Sequence, residues 1–212
     1  MTGALAQTIN TRLRPLPDWP LYGLAVLPPA WLLWQGLTGG LGPDPVKAME
    51  HQMGLWGLQV LIASLAITPV RRFTGVSFLK FRRALGLIGF AYILLHLMVW
   101  LALDLQFFWG EIWADIVKRP YITVGMAGFA LLIPLAATSW TGAIRRMGGA
   151  AWQRLHRLAY PAILLGGVHY LWLVKGWQAE PILYLAGIVG LLLLRLRPSR
   201  WQSPLRWAGD SR

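Results

Sequence analysis

Histidine is the residue type in this chain whose chemistry and surroundings most need an explanation. Only four histidines are present, and three of them lie in strongly apolar sequence. His96 falls within the uncharged run Ala84–Leu103, and His156 and His169 lie in the segment LHRLAYPAILLGGVHYLW. An ionisable side chain in an apolar span is costly and usually functional, and imidazole is a common axial ligand of heme iron. Histidines on two apolar segments therefore predict a membrane b-type cytochrome.

The elements that would carry these histidines are apolar runs of membrane-spanning length. The 212-residue chain is 56% hydrophobic and only 13% charged, whereas soluble domains carry about 25% charged residues. A spanning helix needs roughly 20 apolar residues, and six runs reach or approach that length: Trp19–Leu37, Gln52–Val70, Ala84–Leu103, Tyr121–Ile144, Leu158–Val174 and Pro181–Leu194. The last reaches it if Arg195 and Arg197 extend to the membrane interface. We predict an all-α membrane protein, a six-transmembrane-helix bundle.

Basic residues dominate the charge, which gives a formal net charge of +12. With a cytoplasmic N-terminus, every basic residue except Lys47, Lys118, Arg119 and Lys175 falls on the inner side. This positive-inside pattern predicts that both termini are cytoplasmic. The lipid bilayer accounts for the basic surface, so no nucleic-acid partner is predicted. The predicted organisation is a cytoplasmic segment 1–18, a six-helix domain 19–197 and a basic cytoplasmic tail 198–212.

Depth in the membrane separates the histidines into two groups. At 1.5 Å per residue from the cytoplasmic helix ends, His96 and His169 lie roughly 18–21 Å in, on parallel helices. We predict that they ligate one heme b from opposite sides. His156 lies at the inner edge, where we predict a redox site: a second heme, a quinone or a flavin. On a straight helix it would be turned about 220° from His169, unless Pro161 introduces a kink. His51, at the outer start of the second helix, receives no predicted role.

Several polar groups remain to be assigned. Arg72, Arg82 and Arg83 could hold heme propionates, a quinone or a flavin phosphate, although inside-positive topology already explains them. The outer loop Asp104–Arg119 combines acidic and aromatic residues with helical spacing, which predicts a short amphipathic helix on the membrane. For each histidine the alternative is a hydrogen bond to a neighbouring helix. A proton or solute transporter is the competing function, but it predicts acidic residues inside the spans, and the spans have none.

Five stretches of the chain resemble a known family. The sequence is similar to the heme-binding membrane subunits of periplasmic protein-methionine-sulfoxide reductase systems, which are part of the ferric-reductase-like transmembrane group. The resemblance covers about residues 20–197. The stretches that carry it are LGPDPVKAMEHQMG (Leu41–Gly54), ITPVRR (Ile67–Arg72), RRALGLIGFAYILLHL (Arg82–Leu97), RPYITVGMAGF (Arg119–Phe129) and WQRLHRLAYPAILLGGVHYLWLVK (Trp152–Lys175).

The resemblance implies a multi-pass heme b protein of the bacterial inner membrane, with His96, His156 and His169 as heme-associated histidines. It implies electron transfer from the quinone pool or a cytosolic flavin reductase to a periplasmic molybdopterin-containing methionine-sulfoxide reductase. The methionine chemistry would belong to that partner, and an FMN is attributed to the family. The chain has one histidine on its third helix, where larger relatives have two, so a second heme is left open. A self-contained ferric or quinone reductase is the alternative within the same group.

Overall fold

We analysed a computed structural model, which describes residues 2–174, 176 and 178–196. The predicted basic tail 198–212 lies outside these residues, as do Lys175 and Arg197. The described chain is all-helical, in agreement with the predicted class. Its α-helices are α1 (Thr2–Leu13), α2 (Trp19–Leu37), α3 (Pro45–Thr74), α4 (Arg82–Met98), α5 (Trp109–Lys118), α6 (Pro120–Ala137), α7 (Thr141–Met147), α8 (Gly149–His156), α9 (Ala159–Leu173) and α10 (Ala179–Leu196).

Three segments of the described chain are both long and apolar enough to cross a membrane. They are Pro45–Thr74, Leu79–Asp104 and Pro120–Ala137. The second joins a 3₁₀ turn, α4 and the π-helical turn Val99–Asp104. The other three predicted spans also form helices, α2, α9 and α10, of 19, 15 and 18 residues. A membrane protein with six spans therefore stays a prediction, although each of its six segments is helical.

The outer surface of the bundle is apolar, as expected for a protein surrounded by lipid. On α2 only Leu32 is buried, while Trp31 and Trp34 are 61% and 60% exposed. Leu183 and Leu193 of α10 are likewise exposed. A soluble monomer rarely leaves so much contiguous apolar surface in water. The buried core lies where α3, α6, α9 and α10 meet, and it is formed by Leu58, Leu61, Leu65, Leu132, Leu135, Ala162, Ile163 and Ile188.

Prolines inside the helices release backbone carbonyls that other helices then satisfy. Proline has no N–H, so the carbonyl four residues earlier loses its helical donor. Pro29 of α2 frees the carbonyl of Ala25, and the Tyr92 hydroxyl of α4 donates to it at 2.7 Å. Pro69 of α3 frees the carbonyl of Leu65, to which Arg195 of α10 donates. In lipid, where water cannot bind a free carbonyl, such partners are needed, and here they also fix helix positions.

The fourth apolar run ends earlier than predicted, whereas the fifth, predicted as Leu158–Val174, corresponds closely to α9. The fourth was expected to reach Ile144, but α6 ends at Ala137 because hydroxyls take over its last carbonyls. Thr138 Oγ1 donates to the Pro134 carbonyl at 2.6 Å, and Ser139 Oγ donates to the Leu135 carbonyl at 2.7 Å. The angle of about 220° between His156 and His169 applies only to one straight helix, and the two residues lie on different helices. A turn at Arg157–Leu158 separates α8 from α9, and Pro161 lies in the first turn of α9, where a proline is tolerated.

The segment 1–18 contains a helix that is attached to the end of α3. Asn10 of α1 donates to the Gly75 carbonyl at 3.0 Å and accepts from the Ser77 N–H at 2.8 Å. The Lys80 ammonium donates to the carbonyls of Leu13 and Arg14 at the end of α1, at 2.8 and 3.1 Å. These bonds satisfy carbonyls that a helix end leaves free. The loop after α3 is thereby held beside the arginines that follow it.

Candidate functional site

The structure brings His96 and His169 together. His96 lies near the end of α4 and His169 on α9, and the centres of their rings are 6.2 Å apart. The ring planes make an angle of 71°. The depth estimate placed these two histidines at similar heights on two parallel helices, and the structure places their rings next to each other. His51, by contrast, is exposed on the first part of α3.

Each of the two rings is oriented by one hydrogen bond to the backbone of a different helix. His96 Nδ1 lies 2.8 Å from the carbonyl oxygen of Glu50 on α3. His169 Nδ1 lies 2.7 Å from the carbonyl oxygen of Tyr121 on α6. A carbonyl can only accept, so Nδ1 carries the proton in both neutral rings. The Nε2 lone pair is then left available in each ring, which is the form in which histidine ligates a metal.

The imidazole nitrogens of His96 and His169 could hold a heme iron. An imidazole nitrogen lies about 2 Å from a metal that it binds, so two rings on one ion would have centres roughly 6 Å apart, close to the observed 6.2 Å. Within the described residues, no group of three or more His, Cys, Asp or Glu side chains could hold a metal ion. Structural zinc sites need four protein ligands, whereas heme iron takes only its axial ligands from the protein.

His156 is placed differently, and its Nε2 is already engaged. Thr138 Oγ1 lies 3.0 Å from His156 Nε2, and the same hydroxyl donates to the Pro134 carbonyl. Since a hydroxyl has one proton, the ring must donate through Nε2 in this arrangement. The His156 ring also stacks on Trp152, with centres 3.8 Å apart, and the Trp152 indole donates to the Thr138 carbonyl at 2.9 Å. Burial lowers the pKa of His156. His156 and Trp152 therefore fasten α8 to the end of α6.

The predicted arginines differ in exposure: Arg72 and Arg83 are exposed, whereas Arg82 is partly buried. Arg83 forms an exposed ion pair with Asp18 at 3.6 Å, and Arg72 donates to the Leu194 carbonyl at 3.3 Å. Arg82 donates to the Thr68 hydroxyl, one turn beyond the Leu65 carbonyl that Arg195 binds. The Nε atoms of Arg82 and Arg195 are buried and have no hydrogen-bond partner among the described residues. In the same part of the chain, no carboxylate forms an ion pair with Arg72, Arg82 or Arg195.

Arg195 was missed as a site candidate because the sequence suggested that it extends to the membrane surface. Instead it turns back into the bundle, where it also donates to the Tyr160 hydroxyl at 3.0 Å and lies over that ring. The signal that could have located it is Pro69, which interrupts an apolar run and leaves the Leu65 carbonyl in need of a donor. Gly54 and Gly125, which lie against His96 and His169, were also missed as site candidates.

The outer loop forms the predicted amphipathic helix, α5. Ile112 faces the protein and is buried, while Trp109 and Trp113 are 74% and 69% exposed. The carboxylate of Asp115 pairs with Arg119 at 3.2 Å, whereas Glu111 is exposed. Exposed tryptophans at helical spacing are typical of a helix lying in the membrane interface.

Comparison with known proteins places the chain in a family. The family model described as ferric reductase like transmembrane component matches residues 52–167, a range that includes His96 and His156 and ends two residues before His169. Relatives called protein-methionine-sulfoxide reductase heme-binding subunit MsrQ are 48% identical to it. The one from Caulobacter vibrioides aligns over 87% of this chain and 90% of its own length. For those from Brucella anthropi and Brucella ovis the shares are 83% and 79%, and 91% and 90%. No solved structure matches significantly. The chain therefore belongs to the ferric-reductase-like transmembrane family, within its MsrQ group.

Proposed function

We propose that this protein is a membrane b-type cytochrome that serves a methionine-sulfoxide reductase system. The single observation that carries the proposal is the His96–His169 pair, whose ring centres lie 6.2 Å apart with both Nδ1 atoms held by carbonyls. When bound there, heme b supplies one-electron chemistry. The two imidazoles would hold the iron and the bundle would exclude water from it, while the carbonyls of Glu50 and Tyr121 fix the ring orientation. The names of the MsrQ relatives support both the heme and the reductase system.

The direction of electron flow follows from the proposed topology. We place the protein in the bacterial inner membrane with six spans and both termini cytoplasmic. Electrons then enter at the inner end, from the quinone pool or a cytosolic flavin reductase, and leave toward a periplasmic molybdopterin-containing reductase. That partner carries out the chemistry on methionine sulfoxide. The chain itself is the electron-transfer subunit: it would ligate the heme, bury it from water and dock the electron donor and acceptor.

The inner end of the bundle is suited to an anionic donor or cofactor. Arg82 and Arg195 place two guanidinium groups on neighbouring turns of α3, and their Nε–H groups remain free within the described chain. Guanidinium groups recognise phosphate and carboxylate strongly. We place the phosphate of an FMN, the head of a quinone or a heme propionate here, with Arg72 nearby. Arg83 is assigned to its ion pair with Asp18.

His156 remains part of the proposed inner site in a changed role. Its Nε2 is bound to Thr138 and its ring is stacked on Trp152, an arrangement that favours a structural contact beside a quinone or flavin over ligation of a second heme. We therefore propose one heme per chain. A stoichiometry of two hemes per chain would contradict this assignment and make His156 a candidate iron ligand again.

The decisive experiment is a reduced-minus-oxidised visible spectrum of the purified protein, combined with a heme assay. We expect a low-spin b-type band and about one heme per chain. A quinol, or a flavin reductase with its nicotinamide donor, should reduce this heme, and the periplasmic reductase with methionine sulfoxide should reoxidise it. A protein purified without any heme band would contradict the cytochrome assignment. A heme that is reoxidised by ferric iron but not by the reductase would favour the ferric reductase alternative.

A further inference from the structure

His96 and His169 share an arrangement that the proposed function does not require. In each case the carbonyl that accepts from Nδ1 belongs to a residue four positions before a glycine in the same helix. Glu50 precedes Gly54 in α3, and Tyr121 precedes Gly125 in α6. In a helix, the N–H of the residue four positions on is the usual donor to a carbonyl. Each histidine therefore approaches a carbonyl whose usual helical donor is the N–H of that glycine.

The glycines are what allow that approach. A Cβ added at Gly125 would lie 2.8 Å from His169 Nδ1 and 3.0 Å from its Cε1. A Cβ added at Gly54 would lie 3.1 Å from His96 Nδ1 and 3.3 Å from its Cε1. The nearest atoms in both cases belong to the imidazole, and they are closer than carbon and nitrogen can ordinarily approach. A larger residue at Gly125 would push the His169 ring away from its carbonyl, and one at Gly54 would require the His96 ring to move by a few tenths of an ångström.

We propose that Gly54 and Gly125 are positioning residues for the heme ligands, acting by giving each imidazole access to a backbone carbonyl. The inference rests on the proposed function, since it assumes that His96 and His169 ligate heme. The bond to the carbonyl sets which nitrogen carries the proton, holds the ring plane, and makes Nε2 a stronger electron donor. The two glycines thus bear on heme affinity, on the angle between the ring planes and on the midpoint potential.

A different role, close helix packing, predicts a different set of affected positions. Small residues commonly let membrane helices approach each other, and Gly128 is an example one turn from Gly125 on α6. A Cβ at Gly128 would lie 3.3 Å from the Ala162 carbonyl oxygen and 3.3 Å from Leu165 Cβ, both on α9, without touching a histidine among its nearest atoms. Gly128 is therefore the matched control, and Gly187 of α10, with no atom within 4 Å of an added Cβ, is the neutral one.

The test compares Gly125→Ala, Gly54→Ala, Gly128→Ala and Gly187→Ala in the full chain. Removing a partner that orients a metal-binding histidine typically weakens metal binding about 10- to 100-fold. We expect Gly125→Ala to lose heme affinity on this scale, together with its low-spin band. Gly54→Ala has the looser contact, so it should retain heme but with a raised midpoint potential. Its low-spin electron paramagnetic resonance signal, which reports the angle between the imidazole planes, should also change. The Gly128 and Gly187 variants should keep the wild-type potential and signal.

Each outcome decides the proposal. Wild-type affinity, potential and resonance signal in both Gly125→Ala and Gly54→Ala would overturn it, and so would equal heme loss in Gly128→Ala. If Gly125→Ala does not fold, the potential and resonance signal of Gly54→Ala carry the test. Failure of the proposed function looks different, because His96→Ala and His169→Ala would then leave the heme content and spectrum unchanged. Loss of heme in those two variants, with normal glycine variants, would overturn only the present inference.

Discussion

Helix α3 presents a backbone carbonyl to a side chain of another helix in its first third and again in its last third, and the two carbonyls become available in different ways. At the outer end, the Glu50 carbonyl receives His96, and Gly54 four residues later leaves room for the ring. At the inner end, the Leu65 carbonyl receives Arg195, and Pro69 four residues later has no N–H to compete. In the first case the carbonyl is made accessible, and in the second it is left vacant.

This difference explains why only one end leaves a metal-binding atom free. A ring held through Nδ1 keeps its Nε2 lone pair, so the outer carbonyl orients a ligand without consuming it. The guanidinium of Arg195 has donors only, so its bond to the Leu65 carbonyl keeps a positive charge inside the bundle. The inner histidine follows neither arrangement, since His156 bonds through Nε2 to a hydroxyl. The outer end is thus suited to iron, and the inner end to an anion.

Alanine substitution of the histidines is the most severe test of this contrast, and its effect should be the largest. We expect His96→Ala or His169→Ala to abolish the low-spin heme spectrum, because the proposed heme would lose one of the two imidazoles that would hold its iron. His156→Ala should keep the heme spectrum and stoichiometry, because its Nε2 is committed to Thr138. Visible spectra and heme assays of the three purified variants check this. A normal spectrum in both outer variants, or heme loss in His156→Ala alone, would reverse the assignment of the two ends.

The inner carbonyl can be tested by exchanging its donor. Arg195→Met should destabilise the protein by about 1–3 kcal/mol, because the Leu65 carbonyl would be buried without a partner. Adding Pro69→Ala restores a helical N–H for that carbonyl, so the double variant should recover part of the loss. Thermal unfolding in detergent measures both effects. If Pro69→Ala gives the same change in wild type and in Arg195→Met, the proline and the arginine are not coupled.

Much of this contrast was predictable from the sequence, and the rest was not, for physical reasons. Depth along a helix follows from residue count alone, so His96 and His169 could be paired in advance. The end of α6 at Ala137 depends on hydroxyls that bond its last carbonyls, and an apolar run of residues does not reveal that. The direction of a long side chain is equally hidden: Arg195 could reach the interface or the core, and packing around Pro69 determines which.

The outer surface offers a smaller effect that concerns docking rather than ligation. Glu111 on α5 is exposed, whereas Asp115 is partly neutralised by Arg119. If the proposed periplasmic partner presents a basic patch, Glu111→Lys should slow electron delivery to it several-fold at low salt, within the roughly 10-fold or larger effects known for electrostatic steering. Heme content should be unchanged. The rate of heme reoxidation by the partner, followed at increasing ionic strength, measures this. An unchanged rate without salt dependence would place docking elsewhere.

The smallest expected effect is a pH dependence of stability that originates at His156. Burial lowers the pKa of this histidine below 6.5, its ordinary value, so the unfolded chain binds a proton more readily than the folded one. Stability therefore rises with pH in the interval between the folded and unfolded pKa values, and it is complete above about pH 6.5. We expect a lower melting temperature at pH 5.5 than at pH 7.5. His156→Gln keeps an amide donor for Thr138 but does not titrate, so it should narrow that difference while the remaining histidines contribute as before. If the variant and wild type lose equal stability on acidification, His156 is not the group responsible.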